Sequence, residues 1–166
     1  MKTVVAGALG ECVHVAGVMN FLRLAEAAGW RTVFLGPAVP VEQFVKAAGQ
    51  ERADLVGVSY RLTPETGEQL LGEFAEAADD LHAAGVRFVF GGTPSVVEQA
   101  QAFGFFARCF DGSEPADALL VYLRSTASLA VMDFLTNHLS REDQAYLWSV
   151  RSFWTSSRTT CRDCCR

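Results

Sequence analysis

The chain has 166 residues, half of them hydrophobic and a fifth charged, so it can bury the core of one ordinary domain and is not a disordered chain. Its net charge is −5 and it has only two lysines, which disfavours nucleic acid as a partner because phosphate binding needs a basic face. No apolar run approaches the roughly 20 residues of a membrane helix, the N-terminus is a poor signal peptide, and the five cysteines follow no disulfide framework. We therefore expect a cytoplasmic protein with no membrane partner.

Short apolar segments alternate with helical stretches from residue 2 to about residue 125. Strands are predicted at 2–9, 31–35, 53–59, 86–90 and 105–110, and the helices that follow them at 15–28, 41–48, 64–84, 95–103 and 114–124. Strands that are apolar on both faces, each followed by a helix, are typical of parallel sheets with right-handed crossovers. We predict an α/β fold, a flavodoxin-like doubly wound five-stranded parallel sheet in the order 2-1-3-4-5, with a helical C-terminal extension.

Three segments differ in composition along the chain. The sheet domain is assigned to residues 1–125 and a helical extension to residues 126–150, where apolar residues continue at helical spacing. Residues 151–166 are basic and cysteine-rich and show neither strand alternation nor a helical stripe, so we expect an irregular tail.

In a sheet of this kind a ligand binds beyond the carboxyl ends of the strands, in the loops at 10–17, 36–40, 59–63, 91–94 and 111–115. His14 lies in the first of these loops, although a single histidine there is more often a surface residue. Ser59 ends the third strand, and Thr63 is a plausible cap of the next helix. Gly91 and Gly92 follow the fourth strand and remove two Cβ atoms, which allows a bulky ligand to approach the backbone.

The spacing of these residues is more specific than any one of them. Two residues separate His14 from Gly17, 41 separate Gly17 from Ser59, and 29 separate Arg61 from Gly91. The pattern resembles the cobalamin (vitamin B12)-binding domain family, whose signature is Asp-x-His-x-x-Gly, Ser-x-Leu and Gly-Gly at closely similar spacings. The resemblance covers residues 1 to about 125, and the fold that it implies agrees with the sheet predicted above.

The resemblance implies a role for each matching residue. His14 would be the lower axial ligand of cobalt in place of the dimethylbenzimidazole base of the cofactor, the base-off/His-on mode, and an imidazole nitrogen suits cobalt. Ser59 would hydrogen-bond the buried dimethylbenzimidazole. The other residues implied to contact the cofactor are Cys12, Val13, Gly17, Arg61, Thr63, Gly91 and Gly92.

Two positions depart from the signature. Cys12 stands at the Asp position, and the family's Asp hydrogen-bonds the ligand histidine and fixes its tautomer, which a thiol does less well. The resemblance therefore implies either a weak Co–His bond or a cofactor that keeps its own base bound. On its own residue type, Cys12 is more often a small buried residue than a reactive thiol. Arg61 stands at the Leu position, where its charge could meet a phosphate, a propionamide or a partner.

The resemblance implies a cobalamin-binding domain or subunit that serves a carbon-skeleton mutase, an isomerase, with adenosylcobalamin favoured over methylcobalamin. Because no earlier cap segment precedes the domain, it is similar to the small subunits of glutamate (methylaspartate) mutase and methylmalonyl-CoA mutase. Catalysis would need a barrel-type catalytic subunit or a missing C-terminal domain. The alternatives are a corrinoid carrier for methyl transfer, a non-enzymatic cobalamin carrier or sensor, and a response-regulator-like domain, which would need an Asp where Ser59 stands.

Overall fold

The computed structural model describes the backbone of residues 1–138 and the side chains of residues 1–127. Met1–Ala127 forms a compact unit that contains the whole sheet. The predictions made for residues 139–150 and for the tail at 151–166 lie outside the described residues.

The sheet is parallel and five-stranded, in the order β2-β1-β3-β4-β5, which confirms the predicted fold class and strand order. The strands are β1 (Thr3–Leu9), β2 (Arg31–Val39), β3 (Leu55–Tyr60), β4 (Arg87–Gly92) and β5 (Arg108–Phe110). Every residue of β1 and β3 is buried, because these central strands are covered on both faces, whereas the edge strand β2 is largely exposed or half-buried.

Residues 1–138 contain six helices, and the parts of them up to residue 127 flank both faces of the sheet. They are α1 (Ala16–Ala27), α2 (Val41–Gln50), α3 (Pro64–Ala77), α4 (Asp79–Ala83), α5 (Pro94–Ala102) and α6 (Ala116–His138). On one face α1 and the first turns of α6 pack through Phe21, Leu22 and Leu123. On the other face α2, α3 and α5 pack around Phe44 and Phe74, whose rings lie edge to face with centroids 5.6 Å apart.

The second strand continues past the point where the sequence pattern ends it. Gly36-Pro37 was expected to stop it after residue 35, but β2 runs on to Val39. A proline is tolerated there because an edge strand has one side without a hydrogen-bonded neighbour. The pairing with β1 shifts register after Ala6, and Gly36 and Ala38 adopt φ of 104° and 51°, so this end of the strand is irregular.

Three other boundaries also differ from prediction. The helix expected over 64–84 is two helices, α3 and α4, with Ala78 between them at φ −98° and ψ 3°. The last strand is three residues long, because Phe105 and Phe106 pack against Phe74 in an aromatic cluster with centroids 6.3 and 6.2 Å away. The helix expected over 114–124 continues to His138. Across residues 1–138, no helix has both the length and the apolar character needed to cross a bilayer.

Candidate functional site

The carboxyl ends of four strands lie in one row. Ser59 of β3 is paired with Ala8 of β1 on one side and with Gly91 of β4 on the other, and Gly91 is paired with Phe110 of β5. Two of the predicted site residues, Ser59 and Gly91, are therefore neighbours at the edge of the sheet where ligands bind in this architecture.

A cavity of about 380 Å³ opens at this row, between the sheet and helices α1 and α6, and is called the sheet cavity below. Its wall is largely apolar and includes Val18 and Phe21 of α1, Val89 of β4 and Leu119 of α6. The predicted site residues that line it are Gly17, Ser59, Arg61, Gly91 and Gly92. Its volume lies within the range of about 300–1,000 Å³ that is usual for small-molecule sites.

A second cavity of about 370 Å³ adjoins the first and is called the histidine cavity. It is lined by His14, Val15, Ala16, Gly17, Arg61 and Thr93. Gly17 and Arg61 line both cavities, so the two spaces meet at these residues. The fold thus brings the predicted imidazole beside the predicted hydroxyl and glycines.

His14 is exposed, and Cys12 lies beneath it. The Nδ1 atom of His14 is 3.9 Å from the Sγ atom of Cys12, which is fully buried. The backbone N–H of Cys12 donates to the carbonyl of Leu9 at 3.1 Å, and its own carbonyl accepts from the N–H of Ala38 at 2.9 Å. Cys12 is therefore a fixed, buried residue whose weakly polar sulfur contacts Nδ1, and Nε2 is the ring nitrogen left for another partner.

The three predicted glycines differ in what surrounds them. A Cβ atom added at Gly17 would meet nothing within 4 Å, and one added at Gly91 would meet only the carbonyl oxygen of Phe110, at 4.0 Å. At Gly92 the added Cβ would lie 2.8 Å from the carbonyl oxygen of Tyr60 and 2.9 Å from the ring of Phe90. Gly17 and Gly91 thus leave bare backbone beside open space, whereas Gly92 is needed for packing within the protein.

Ser59 and Thr63 also have different surroundings. Ser59 is buried, and its hydroxyl makes no hydrogen bond to the residues that the structure describes, although it lies in the wall of the sheet cavity. Thr63 stands at the N-cap of α3, as predicted, but its side chain makes no capping bond and its Oγ1 donates to Oγ1 of Thr66 at 3.0 Å. Thr63, Cys12 and Val13 line neither cavity.

The structure adds polar residues that the sequence-based site did not include. Asn20 lines the sheet cavity, and its place three residues after Gly17 puts both on one face of α1, which helical spacing could have indicated. Asp111 and Glu114 also line this cavity, in a loop at the predicted edge. Hydrogen bonding by Ser113, through its side chain and then its backbone N–H, lowers the pKa of Asp111.

The family model for the B12 binding domain matches residues 2–120, which is most of the chain. The chain belongs to the B12-binding domain family. Among curated proteins, it is similar to glutamate mutase sigma subunit 2 from Haloarcula marismortui, with 37% identity over 59 residues. This aligned region is 36% of the chain and 40% of the relative, so the chain matches less than half of that protein.

Solved structures of cobalamin proteins share the fold. A cobalamin-binding protein from Desulfitobacterium hafniense DCB-2 superposes with a TM-score of 0.62 at 23% identity, covering 74% of this chain and 58% of that one. The methanol:cobalamin methyltransferase complex MtaBC from Methanosarcina barkeri superposes with a TM-score of 0.56 at 26% identity, and the match covers 75% of this chain and 46% of that one. A response regulator from Thermotoga maritima superposes with a TM-score of 0.55 at 12% identity, and the match covers 77% of this chain and 99% of that one. At this identity the likeness is one of fold alone.

The residues present fit a B12 cofactor. Within the described residues, no three His, Cys, Asp or Glu side chains are grouped to hold a metal ion, but a corrin ring supplies most of the cobalt ligands itself, so a single imidazole from the protein would suffice. His14 can offer that imidazole. The adjoining apolar sheet cavity, with bare backbone at Gly17 and Gly91 and an available hydroxyl at Ser59, has the character needed for the nucleotide tail.

Proposed function

We propose that this chain is the cobalamin-binding component of an adenosylcobalamin-dependent carbon-skeleton isomerase, and that it holds the cofactor base-off with His14 as lower axial ligand. The observation that carries the proposal is the meeting of two cavities, one with an exposed imidazole and the other with bare backbone and an available hydroxyl. The similarity to a glutamate mutase sigma subunit supports the isomerase class.

Each residue of the site has a separate task in this proposal. Adenosylcobalamin supplies a weak cobalt–carbon bond whose homolysis starts radical chemistry. His14 would offer Nε2 to cobalt, while its Nδ1 keeps the weak contact with the sulfur of Cys12. The hydroxyl of Ser59 would donate a hydrogen bond to the displaced dimethylbenzimidazole, and Gly17 and Gly91 would leave room for the tail. Phe21 and Val89 keep water from the buried base.

The substrate would be held by a partner of the barrel type, placed over the outer face of the corrin. Val13 and Leu62 are large apolar residues on the loops around this edge, and 62% and 37% of their surfaces are exposed. Apolar side chains next to the site suit contact with the corrin and with such a partner, because covering them removes apolar surface from water.

The first test is spectroscopic. The full chain and the variant His14→Ala are titrated with adenosylcobalamin, and the absorption spectrum is recorded with circular dichroism as the control for folding. We expect a base-off/His-on spectrum for the unaltered chain and loss of that spectrum for the variant, which should fold normally because His14 is exposed. The same spectrum for both proteins would contradict the ligand assignment.

The second test concerns the partner. The chain loaded with adenosylcobalamin is added to the catalytic subunit of a glutamate mutase, and conversion of glutamate to methylaspartate is measured.

The similarity to MtaBC favours a second candidate, a corrinoid carrier for methyl transfer. In a separate sample the chain is loaded with cob(I)alamin and mixed with methanol and the catalytic subunit of the methanol:cobalamin methyltransferase. Formation of methylcobalamin there, as the methanol C–O bond breaks with release of water and the cobalt(I) electron pair forms the Co–C bond, would support that candidate and contradict the isomerase.

A further inference from the structure

Arg61 occupies a distinctive place in the site. It directly follows β3, and the residues common to the walls of both cavities are Arg61 and Gly17. Its side chain is exposed, and within the part of the chain that the structure describes it makes no hydrogen bond and no ion pair. A guanidinium at the meeting point of two cavities, without a protein partner there, is suited to bind an anionic group of a ligand.

The charges around Arg61 favour an anion on the side of the histidine cavity. None of the described residues in the wall of that cavity is acidic. Asp111 and Glu114 lie in the wall of the sheet cavity, and each accepts a backbone N–H of its own loop, from Ser113 at 2.8 Å and from Gly112 at 3.2 Å. An anionic group would therefore be placed where the two cavities meet and not deeper in the sheet cavity.

The first turn of α1 adds backbone donors at the same place. Met19 donates to the carbonyl of Val15, so the N–H groups of Ala16, Gly17 and Val18 come before the first helical hydrogen bond. The N-cap residue Val15 makes no side-chain capping bond, and the first turn contains no acidic side chain. Because Gly17 has no Cβ, a ligand can approach this backbone closely, and the end of the helix dipole favours a negative charge.

We propose that Arg61 is a specificity-determining residue that binds the phosphodiester of the cobalamin nucleotide tail. The inference rests on the proposed function, because it places the corrin at the histidine cavity and the dimethylbenzimidazole in the sheet cavity. The phosphodiester joins these two parts of the cofactor and carries the negative charge of the tail. In this placement it lies between the two cavities, next to the residues that line both of them, which are Gly17 and Arg61.

The test compares two ligands that differ in the tail. Adenosylcobinamide has the corrin and the adenosyl group of adenosylcobalamin but lacks the phosphate, ribose and base. Dissociation constants for both ligands are measured by absorption titration with the unaltered chain, Arg61→Leu, Arg61→Lys and the control Arg23→Leu, which removes an exposed arginine on α1 that lines neither cavity.

We expect Arg61→Leu to weaken adenosylcobalamin binding about tenfold and adenosylcobinamide binding less than about twofold, as for loss of one charge-assisted hydrogen bond. Arg61→Lys should keep most of the affinity, and Arg23→Leu should change neither ligand. Equal weakening of both ligands, or no change in either, would overturn the role of Arg61. If the unaltered chain binds neither ligand, the proposed function itself fails, and the inference fails with it.

Discussion

At the scale of single residues, the contact between Cys12 and His14 decides how firmly the imidazole of His14 is held in the orientation that the proposed site requires. Cys12 is fixed by two backbone hydrogen bonds, but its sulfur is 3.9 Å from Nδ1 of His14 and thiols are weak hydrogen-bonding groups. A carboxylate at the same position would accept a stronger hydrogen bond from Nδ1 and increase the basicity of Nε2. In the proposed site, His14 would therefore have only weak support from Cys12 as a ligand of cobalt.

This leads to a prediction for Cys12→Asp. We expect the variant to increase the share of bound cobalamin in the base-off/His-on form. Its affinity for cobalamin should rise by about tenfold, the size of effect that hydrogen-bond partners of metal ligands usually have. The measurement is the absorption spectrum of the bound cofactor, and Cys12→Ser serves as the matched control with a hydroxyl in place of the thiol. A smaller His-on share in a folded Cys12→Asp protein would contradict the positioning role.

A second residue-scale prediction separates the two adjacent glycines. Gly91→Val should lower cobalamin affinity by about tenfold or more, because the new side chain takes space beside the cavity, while stability changes by less than about 1 kcal/mol. Gly92→Ala should lower the free energy of unfolding by about 1–3 kcal/mol, because its Cβ would meet the carbonyl oxygen of Tyr60.

Cobalamin titration and urea unfolding of both variants check this contrast. The glycines are adjacent in sequence and both line the sheet cavity, so each variant is the control for the other. A loss of stability in Gly91→Val as large as that in Gly92→Ala would show that both positions serve packing, and the assignment of Gly91 to the tail would be wrong.

At the scale of secondary structure, α6 completes the wall of the sheet cavity and is tied to the far end of the sheet. Trp30 is buried, and its Nε1 donates to the carbonyl of Leu123 at 3.1 Å. The Nζ atom of Lys2 donates to the carbonyl of Thr126 at 2.8 Å and lies 5.7 Å from the centroid of the Trp30 ring. These contacts fix the turns of α6 that follow Leu119.

We therefore expect Trp30→Phe to lower the free energy of unfolding by about 1–3 kcal/mol, from the lost hydrogen bond and the volume left empty. The control Phe34→Leu changes an aromatic residue on the edge strand that is 42% exposed, and it should cost less than about 0.5 kcal/mol. Urea unfolding of the full chain measures both. Equal effects of the two changes would mean that Trp30 does not anchor the helix.

The elements also show where sequence patterns are sufficient. Buried strands such as β1 and β3 could be predicted because a short, uninterrupted run of apolar residues is typical of a strand covered on both faces. The end of β2 could not be predicted, because the sequence does not show that β2 lies at the edge of the sheet, where a strand tolerates a proline. The start of β5 could not be predicted either, because Phe105 and Phe106 pack in an aromatic cluster around Phe74 and are not part of the strand.

At the scale of the whole molecule, the strand order explains why distant motifs could be joined into one site. Parallel strands in the order 2-1-3-4-5 put the loops after β1, β3 and β4 side by side, so His14, Ser59 and Gly91 converge. The sequence could not predict that Thr63 would line neither cavity or that Asn20 would line one. Those outcomes depend on how α1 and α3 are placed on the sheet.

The proposed function depends on His14 replacing the cofactor's own base as the ligand of cobalt. The most direct measurement is the electron paramagnetic resonance spectrum of cob(II)alamin bound to the chain, with histidine labelled by ¹⁵N. A nitrogen nucleus on the cobalt axis splits each line, and the splitting pattern differs between ¹⁴N and ¹⁵N. We predict that labelling changes the pattern from triplets to doublets and that His14→Ala abolishes this change. Triplets that persist in the labelled protein would show that dimethylbenzimidazole remains the ligand, and would contradict the account.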